Sequence, residues 1–180
     1  MTGLPVVLDV AGKRCVVVGA GVGGRRKITA LLAAGATVTV IDPAVEAAAD
    51  EFDGVHVEAR PWRSGDTEGA FVVVIATDDP AVNEAAAVEA RADGALVLRA
   101  DRPAEGDLRL PAVDRVAGLT VAVDSGGTAP AVAAVARTEL TTALLAESDR
   151  WDELGRWAAA RRPVAAADVA ARLAEMRGVS

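Results

Sequence analysis

Between Arg14 and Asp42 the chain reads RCVVVG, GAGVGG, RRKITALLAAGA and TVTVID, and no other stretch restricts its fold as much. A β-branched run enters a glycine turn, a helical pattern follows, and a second β-branched run ends on an acid. That is the order of a dinucleotide-binding βαβ unit. Gly19, Gly21 and Gly24 satisfy G-x-G-x-x-G. The first glycine permits a tight turn, the second leaves room for a pyrophosphate against bare backbone, and the third lets the helix approach the strand. Val22 and Gly23 complete the cofactor-facing loop. Ile28, Leu31 and Leu32 share one helix face. Asp42 follows the loop at about the ~20-residue distance where a carboxylate accepts hydrogen bonds from a ribose and repels a 2′-phosphate, so NAD is favoured over NADP. Arg25, Arg26 and Lys27 oppose the helix dipole. Both a solvated face and a cluster turned toward a polyanion are open for them.

The α/β rhythm continues past Asp42. Ala44 to Glu51 has a helical pattern, and Val55 to Glu58 reads as a third strand. The unbroken apolar run Ala70 to Ala76 suits a strand buried on both faces of a parallel sheet. Asp79 serves as a helix N-cap with Pro80 at the first helical position, Gly94 ends that helix, and Ala95 to Leu98 forms the next strand. The expected fold class is α/β, a doubly wound parallel sheet in the order 3-2-1-4-5. Its switch point would set Gly19 to Gly24 beside Thr77 to Asp79, with the Thr77 hydroxyl, the Asp78 carboxylate and the Asn83 amide offered to the cofactor.

Beyond Leu98 the rhythm breaks. Arg99 to Pro111 is proline-containing and charged, Leu119 to Val123 alternates like a strand, and SGGTAP leads into a helix from about Ala129 to Glu147. Ser148 to Arg177 reads as two helices divided near Pro163, with Trp151 and Trp157 packed in them and an apolar stripe at Val169, Leu173 and Met176.

A net charge of −7 argues against nucleic acid as the main partner, although a local arginine cluster can still bind a small anion. The one histidine, His56, alternates with valines and fits an exposed strand position better than a ligand, so no metal site is expected. Cys15 reads as a small buried apolar residue. No apolar run approaches the ~18 residues of a membrane span, and the opening MTGLPVV lacks the basic start of a signal peptide, so a cytoplasmic protein is expected.

Two further constellations carry chemistry. Asp101 lies just past the fifth strand, where a carboxylate can act as a general base or orient a substrate N–H. Arg99, Arg102, Arg109 and Arg115 surround it in sequence, with Asp107 and Asp114 as candidate ion-pair partners. Ser125, Gly126, Gly127 and Thr128 precede a helix. Successive glycines there expose backbone N–H groups as an anion-receptive nest, with Thr128 as the expected cap.

Taken in order, LPVVLDVAGKRCVVVGAG, RRK, ATDDPAVN, D-R-P and VAVDSGGTAP resemble the precorrin-2 dehydrogenase family. These sirohydrochlorin-forming enzymes also occur as the first module of sirohaem synthase. The resemblance covers roughly residues 4 to 137. It implies an NAD-binding Rossmann domain over residues 1–111, a dimerisation region over 112–147, a helical tail over 148–180, and a homodimer. The implied reaction removes a hydride and a proton from precorrin-2 to give sirohydrochlorin and NADH. Asp101 takes the place of the essential aspartate and Ser125 that of the active-site serine. Gly126, Gly127, Thr128, Arg102 and Arg109 then gain a purpose in binding the eight carboxylates of the tetrapyrrole. Leu98, Arg109 and Asp124 depart from the usual family residues. Some relatives also insert iron; with no His or Cys near Asp101, dehydrogenation alone is favoured here. An NAD-sensing regulatory module would share the glycine loop and Asp42 but leaves Asp101 and SGGTAP without a role.

Overall fold

The computed structural model describes residues 3–45, 54–161 and 163–178. They form two compact units, Met1–Arg109 and Leu110–Ser180.

The first unit holds β1 (Arg14–Val18), α1 (Val22–Ala33), β2 (Thr37–Ile41), β3 (His56–Glu58), β4 (Val72–Ile75), α2 (Pro80–Ala92) and β5 (Leu96–Arg99). The strands are parallel and ordered β3-β2-β1-β4-β5, as the sequence pattern requires. The expected third strand is shorter than its apolar signal, and the helical pattern from Ala44 to Glu51 runs outside the described residues from residue 46 onward.

Strand alternation sorts the core into two layers. Cys15, Val17, Val38, Val40, Val72, Val74 and Leu98 pack with Ile28 and Leu31 of α1. Val16, Val18, Val73, Ile75 and Val97 pack with Ala86, Ala87 and Ala90 of α2. Each fully buried valine contributes about 1.5–3 kcal/mol of transfer free energy, and the alanines let α2 sit close without bulky anchors. Burial pushes the Cys15 thiol pKa up, which keeps it protonated and inert. Asp79 caps α2 as expected, accepting from the backbone N–H groups of Ala81 at 2.8 Å and Val82 at 3.3 Å. His56 is exposed and pairs with Glu58 on the same strand face.

The second unit is an antiparallel hairpin, β6 (Ala112–Val116) and β7 (Leu119–Val123), covered by α3 (Pro130–Leu145), with α4 (Ser148–Ala159) and α5 (Ala166–Met176) following. Asp114 of β6 faces α3, with Arg137 Nε at 3.2 Å and the Thr141 hydroxyl at 3.3 Å. The half-buried side chains of Val169, Leu173 and Met176 agree with the apolar stripe, and α4 and α5 are tied by Arg172 to Glu153.

β6 was not legible as a strand. Its turn is Ala117-Gly118, both at positive φ (50° and 70°), which is the backbone of a two-residue primed hairpin turn. Asn or Gly usually marks the first of these positions; an alanine there hides the hairpin. Left-handed backbone costs an L-residue roughly 1–2 kcal/mol, partly offset by glycine's greater unfolded-state entropy. Ala117→Gly should therefore raise stability by roughly 0.5–1 kcal/mol, read as a higher denaturant midpoint at unchanged slope. A lower midpoint would contradict the strained-turn account.

Candidate functional site

Cross-strand bonds bring the loops after β1, β2, β4 and β5 to one edge of the sheet. Gly19 N–H donates to Ile41 O at 2.9 Å, Ala76 N–H to Val18 O at 2.8 Å, and Ala100 N–H to Ile75 O at 2.9 Å.

The three motif glycines do different work, and the backbone shows each. Gly19 has φ +95°, and a Cβ there would lie 2.5 Å from Ala76 O and 2.8 Å from Thr77 N. Gly24 is tighter still, since its Cβ would fall 2.1 Å from Gly19 O. At Gly21 a Cβ would meet nothing within 4 Å. Thus Gly19 and Gly24 are needed by the fold, whereas Gly21 keeps a space open above the start of α1. That helix has Gly21 as its N-cap with no capping side chain and no acid in its first turn. Its first N–H groups can therefore receive a phosphate. Val22 is exposed at the same helix start, and Gly23 takes a hydrogen bond on its carbonyl from Lys27 Nζ at 3.0 Å. Arg25 Nε donates to Ala20 O at 3.1 Å, so two of the three cations fold back onto the loop while Arg26 is exposed. Burial, with Arg26 beside it, lowers the Lys27 pKa.

Asp42 ends β2 against this loop. Its Oδ2 accepts from Ala20 N–H at 2.5 Å and its Oδ1 from Ala44 N–H at 2.7 Å. The carboxylate braces the glycine turn, and its remaining lone pairs suit ribose hydroxyls. Together the open space at Gly21, the uncapped helix start and Asp42 fit a dinucleotide.

Across the switch point Thr77 and Asn83 lock together. The Thr77 hydroxyl donates to Asn83 Oδ1 at 2.6 Å, and Asn83 Nδ2 donates to Thr77 O at 2.9 Å. Asn83 is 1% exposed. It differs here from the expected cofactor-facing amide: its position on the inner face of α2 turns it to the protein, where it holds the loop. Asp78 is exposed at the edge.

The ion pairing around Asp101 departs most from expectation. Arg99, with a side chain 1% exposed, grips Asp101 through Nε–Oδ1 at 2.9 Å and Nη2–Oδ2 at 2.8 Å, and meets Glu84 of α2 at 3.0 Å. Asp107 and Asp114 pair with Arg91 and Arg137 rather than with the arginines flanking Asp101. The Arg99 guanidinium, aided weakly by Asn83, overcomes desolvation and lowers the Asp101 pKa to about 2. Of the two roles open from sequence, general base or orienting a substrate N–H, the two-point grip of Arg99 suits the second, because it fixes the plane of the carboxylate. The missed signal was R-x-D at a strand end, because residues i and i+2 share a strand face. Arg102 is exposed, 3.5 Å from Glu105, and Arg109 is half-buried beside Gly3.

In the second unit Gly126 (φ 67°) and Gly127 (φ 81°) make the turn before α3. Ser125 Oγ accepts from Ala129 N–H at 3.1 Å, and the Thr128 hydroxyl donates to Ser125 O at 2.7 Å. Contrary to expectation, Thr128 does not cap α3. With its hydroxyl spent on closing the turn, it is Ser125 that reaches the helix start.

Residues 6–112 match a family model described as "Putative NAD(P)-binding". The chain belongs to this NAD(P)-binding family. Curated relatives include the siroheme synthase of Nitrosococcus oceani, 36% identical over 162 residues, covering 88% of this chain and 34% of that protein. The siroheme synthase of Methylococcus capsulatus is 36% identical over 159 residues, covering 87% and 33%. The chain thus spans about a third of the length of these curated relatives. Among solved structures, SirC, a precorrin-2 dehydrogenase, has a TM-score of 0.75 and 25% identity, covering 97% of this chain and 89% of that one.

For a member of the NAD(P)-binding family the glycines give a sharp test. Gly21→Ala should leave stability within about 0.5 kcal/mol of the native value yet weaken NAD binding at least ~10-fold, while Gly24→Ala should cost ~1–3 kcal/mol as well. Calorimetric titration with NAD and a denaturant curve read the two effects. Native NAD affinity in Gly21→Ala would remove the pyrophosphate from this loop.

Proposed function

We propose that the chain oxidises precorrin-2 to sirohydrochlorin with NAD as hydride acceptor. The observation that carries this reading is the meeting, at one sheet edge, of a glycine loop open at Gly21 with a fixed carboxylate at Asp101. The likeness to SirC over nearly the whole chain supports it.

Bound NAD would supply the hydride acceptor. Gly19 to Gly24 would hold its pyrophosphate, and Asp42 its ribose, with a 2′-phosphate repelled. Thr77 and Asp78 would border it, and Asn83 would keep Thr77 in place. Loss of hydride leaves positive charge on the tetrapyrrole, and the Asp101 carboxylate would stabilise that charge and orient a pyrrole N–H. The proton would then pass to solvent. Ser125, Gly126, Gly127 and Thr128, with Arg102 and Arg109, are the proposed partners of the substrate carboxylates, and these roles rest on the family resemblance.

Residues 1–111 would act as the cofactor domain, 112–147 as the dimerisation region and 148–180 as a helical tail. Val132, Val135 and Leu145 of α3 and Val113 and Leu119 of the hairpin are exposed apolar side chains. A second copy is proposed to cover them, because a hairpin and one helix cannot bury both their faces. Among the described residues no helix is long and apolar enough to cross a membrane; the proposed site of action is the cytoplasm.

Incubation with NAD and enzymatically generated precorrin-2 should yield sirohydrochlorin and NADH in equal amounts, followed by absorbance. NADP should support it poorly, and Asp42→Ala should narrow the preference, with some loss of overall affinity because the Ala20 brace is lost. Binding of NAD without turnover would instead favour a sensing module.

A further inference from the structure

We propose that Arg99 is a positioning residue for this reaction, a buried guanidinium that holds the Asp101 carboxylate in one orientation at the β5 end of the crevice. The inference rests on the dehydrogenase reading above.

Arg99 shares its strand face with Val97, opposite Ile75 on β4 and against α2. An apolar residue would extend that core layer, and replacing a buried ion pair by packed hydrophobic groups is often neutral or stabilising. The core therefore does not require a charge here. Its placement is explained by what it grips. Three carboxylates face the guanidinium: Asp101 after β5, Glu84 from α2, and Glu105 from the short turn Pro103–Glu105, the last at 3.8 Å. Asp101 alone is held by two parallel hydrogen bonds, and its side chain is 25% exposed against 57% for Glu84 and 51% for Glu105. A two-point grip fixes the carboxylate plane, whereas a single contact leaves it free to rotate. On the other side Asn83, which also faces Asp101, is bonded to Thr77. The loop after β4 and the carboxylate after β5 thereby share Asn83 as a common contact.

The pairing also sets a sign. Asp101 titrates lower in the folded chain than unfolded, so the stability it brings is complete above the ordinary carboxylate range and is lost as pH falls toward about 2.

The test uses the full chain, with Arg99→Met, Arg99→Lys and Glu84→Gln. Three quantities are measured: the Asp101 carboxyl titration by carbon-13 NMR, kcat for precorrin-2 oxidation against pH at saturating NAD, and NAD affinity. In Arg99→Met the carboxyl should titrate near the ordinary ~3.9, an acid limb absent from the native profile should appear at the same pH, and kcat at neutral pH should fall about 10–100-fold with NAD affinity unchanged. Arg99→Lys keeps the charge but loses the fork, so it should hold the carboxyl titration low while recovering only part of kcat. Glu84→Gln should keep the native profile.

A native kcat–pH profile in Arg99→Met would overturn the proposal. If that variant does not fold, native kcat in Arg99→Lys would overturn it equally, and a reduced kcat with a low carboxyl titration would support it. Absence of turnover in the native protein would overturn the dehydrogenase reading, and the positioning role with it, while the carboxyl titration would still report whether the pair exists.

Discussion

Position 24 can carry no side chain, because a Cβ there would sit 2.1 Å from the Gly19 carbonyl oxygen. Only bare backbone lets α1 start so close to the end of β1, and only a left-handed Gly19 lets that turn pass the backbone of Ala76 and Thr77. The rest of the nucleotide edge follows from this contact. It aims the uncapped start of α1 at the space above Gly21 and brings Ala20 N–H within reach of Asp42. A steric constraint in the fold and a binding surface for a phosphate are the same few atoms.

The other end of the edge is held by charge. Arg99 lies under α2 with almost no contact with water, a placement that would cost several kcal/mol for an unpaired cation. Asp101 and Glu84 remove that cost, and in doing so Asp101 gives up basicity. Asp101 thus suits a step in which positive charge grows as hydride leaves, because a fixed anion needs no reorganisation at that moment.

Much of this was legible in the sequence because local rules and tertiary packing agree. β-branched runs mark β1, β2 and β4, Asp79-Pro80 marks the start of α2, and the glycine spacing marks the switch point. The failures have local causes. β6 is hidden because an alanine stands at a left-handed turn position, and Thr128 looks like a cap in the sequence because a hydroxyl can equally close a turn from its own loop. By sequence Asn83 is an amide offered to the cofactor and Arg99 one of several arginines around Asp101. Which way each side chain turned depended on the packing of α2 on β5, information no single segment contains.

In the proposed reaction labour is divided: the glycine loop would bind the cofactor and the carboxylate held after β5 would serve the reacting substrate. The measurement that decides this is single-turnover formation of NADH from precorrin-2 in Asp101→Asn, beside its NAD affinity. The NAD affinity also reports whether the edge survives the loss of Arg99's main partner. Native NAD affinity is expected, with a rate reduced at least ~10²-fold. A near-native rate, or loss of NAD binding in step with the rate, would contradict it.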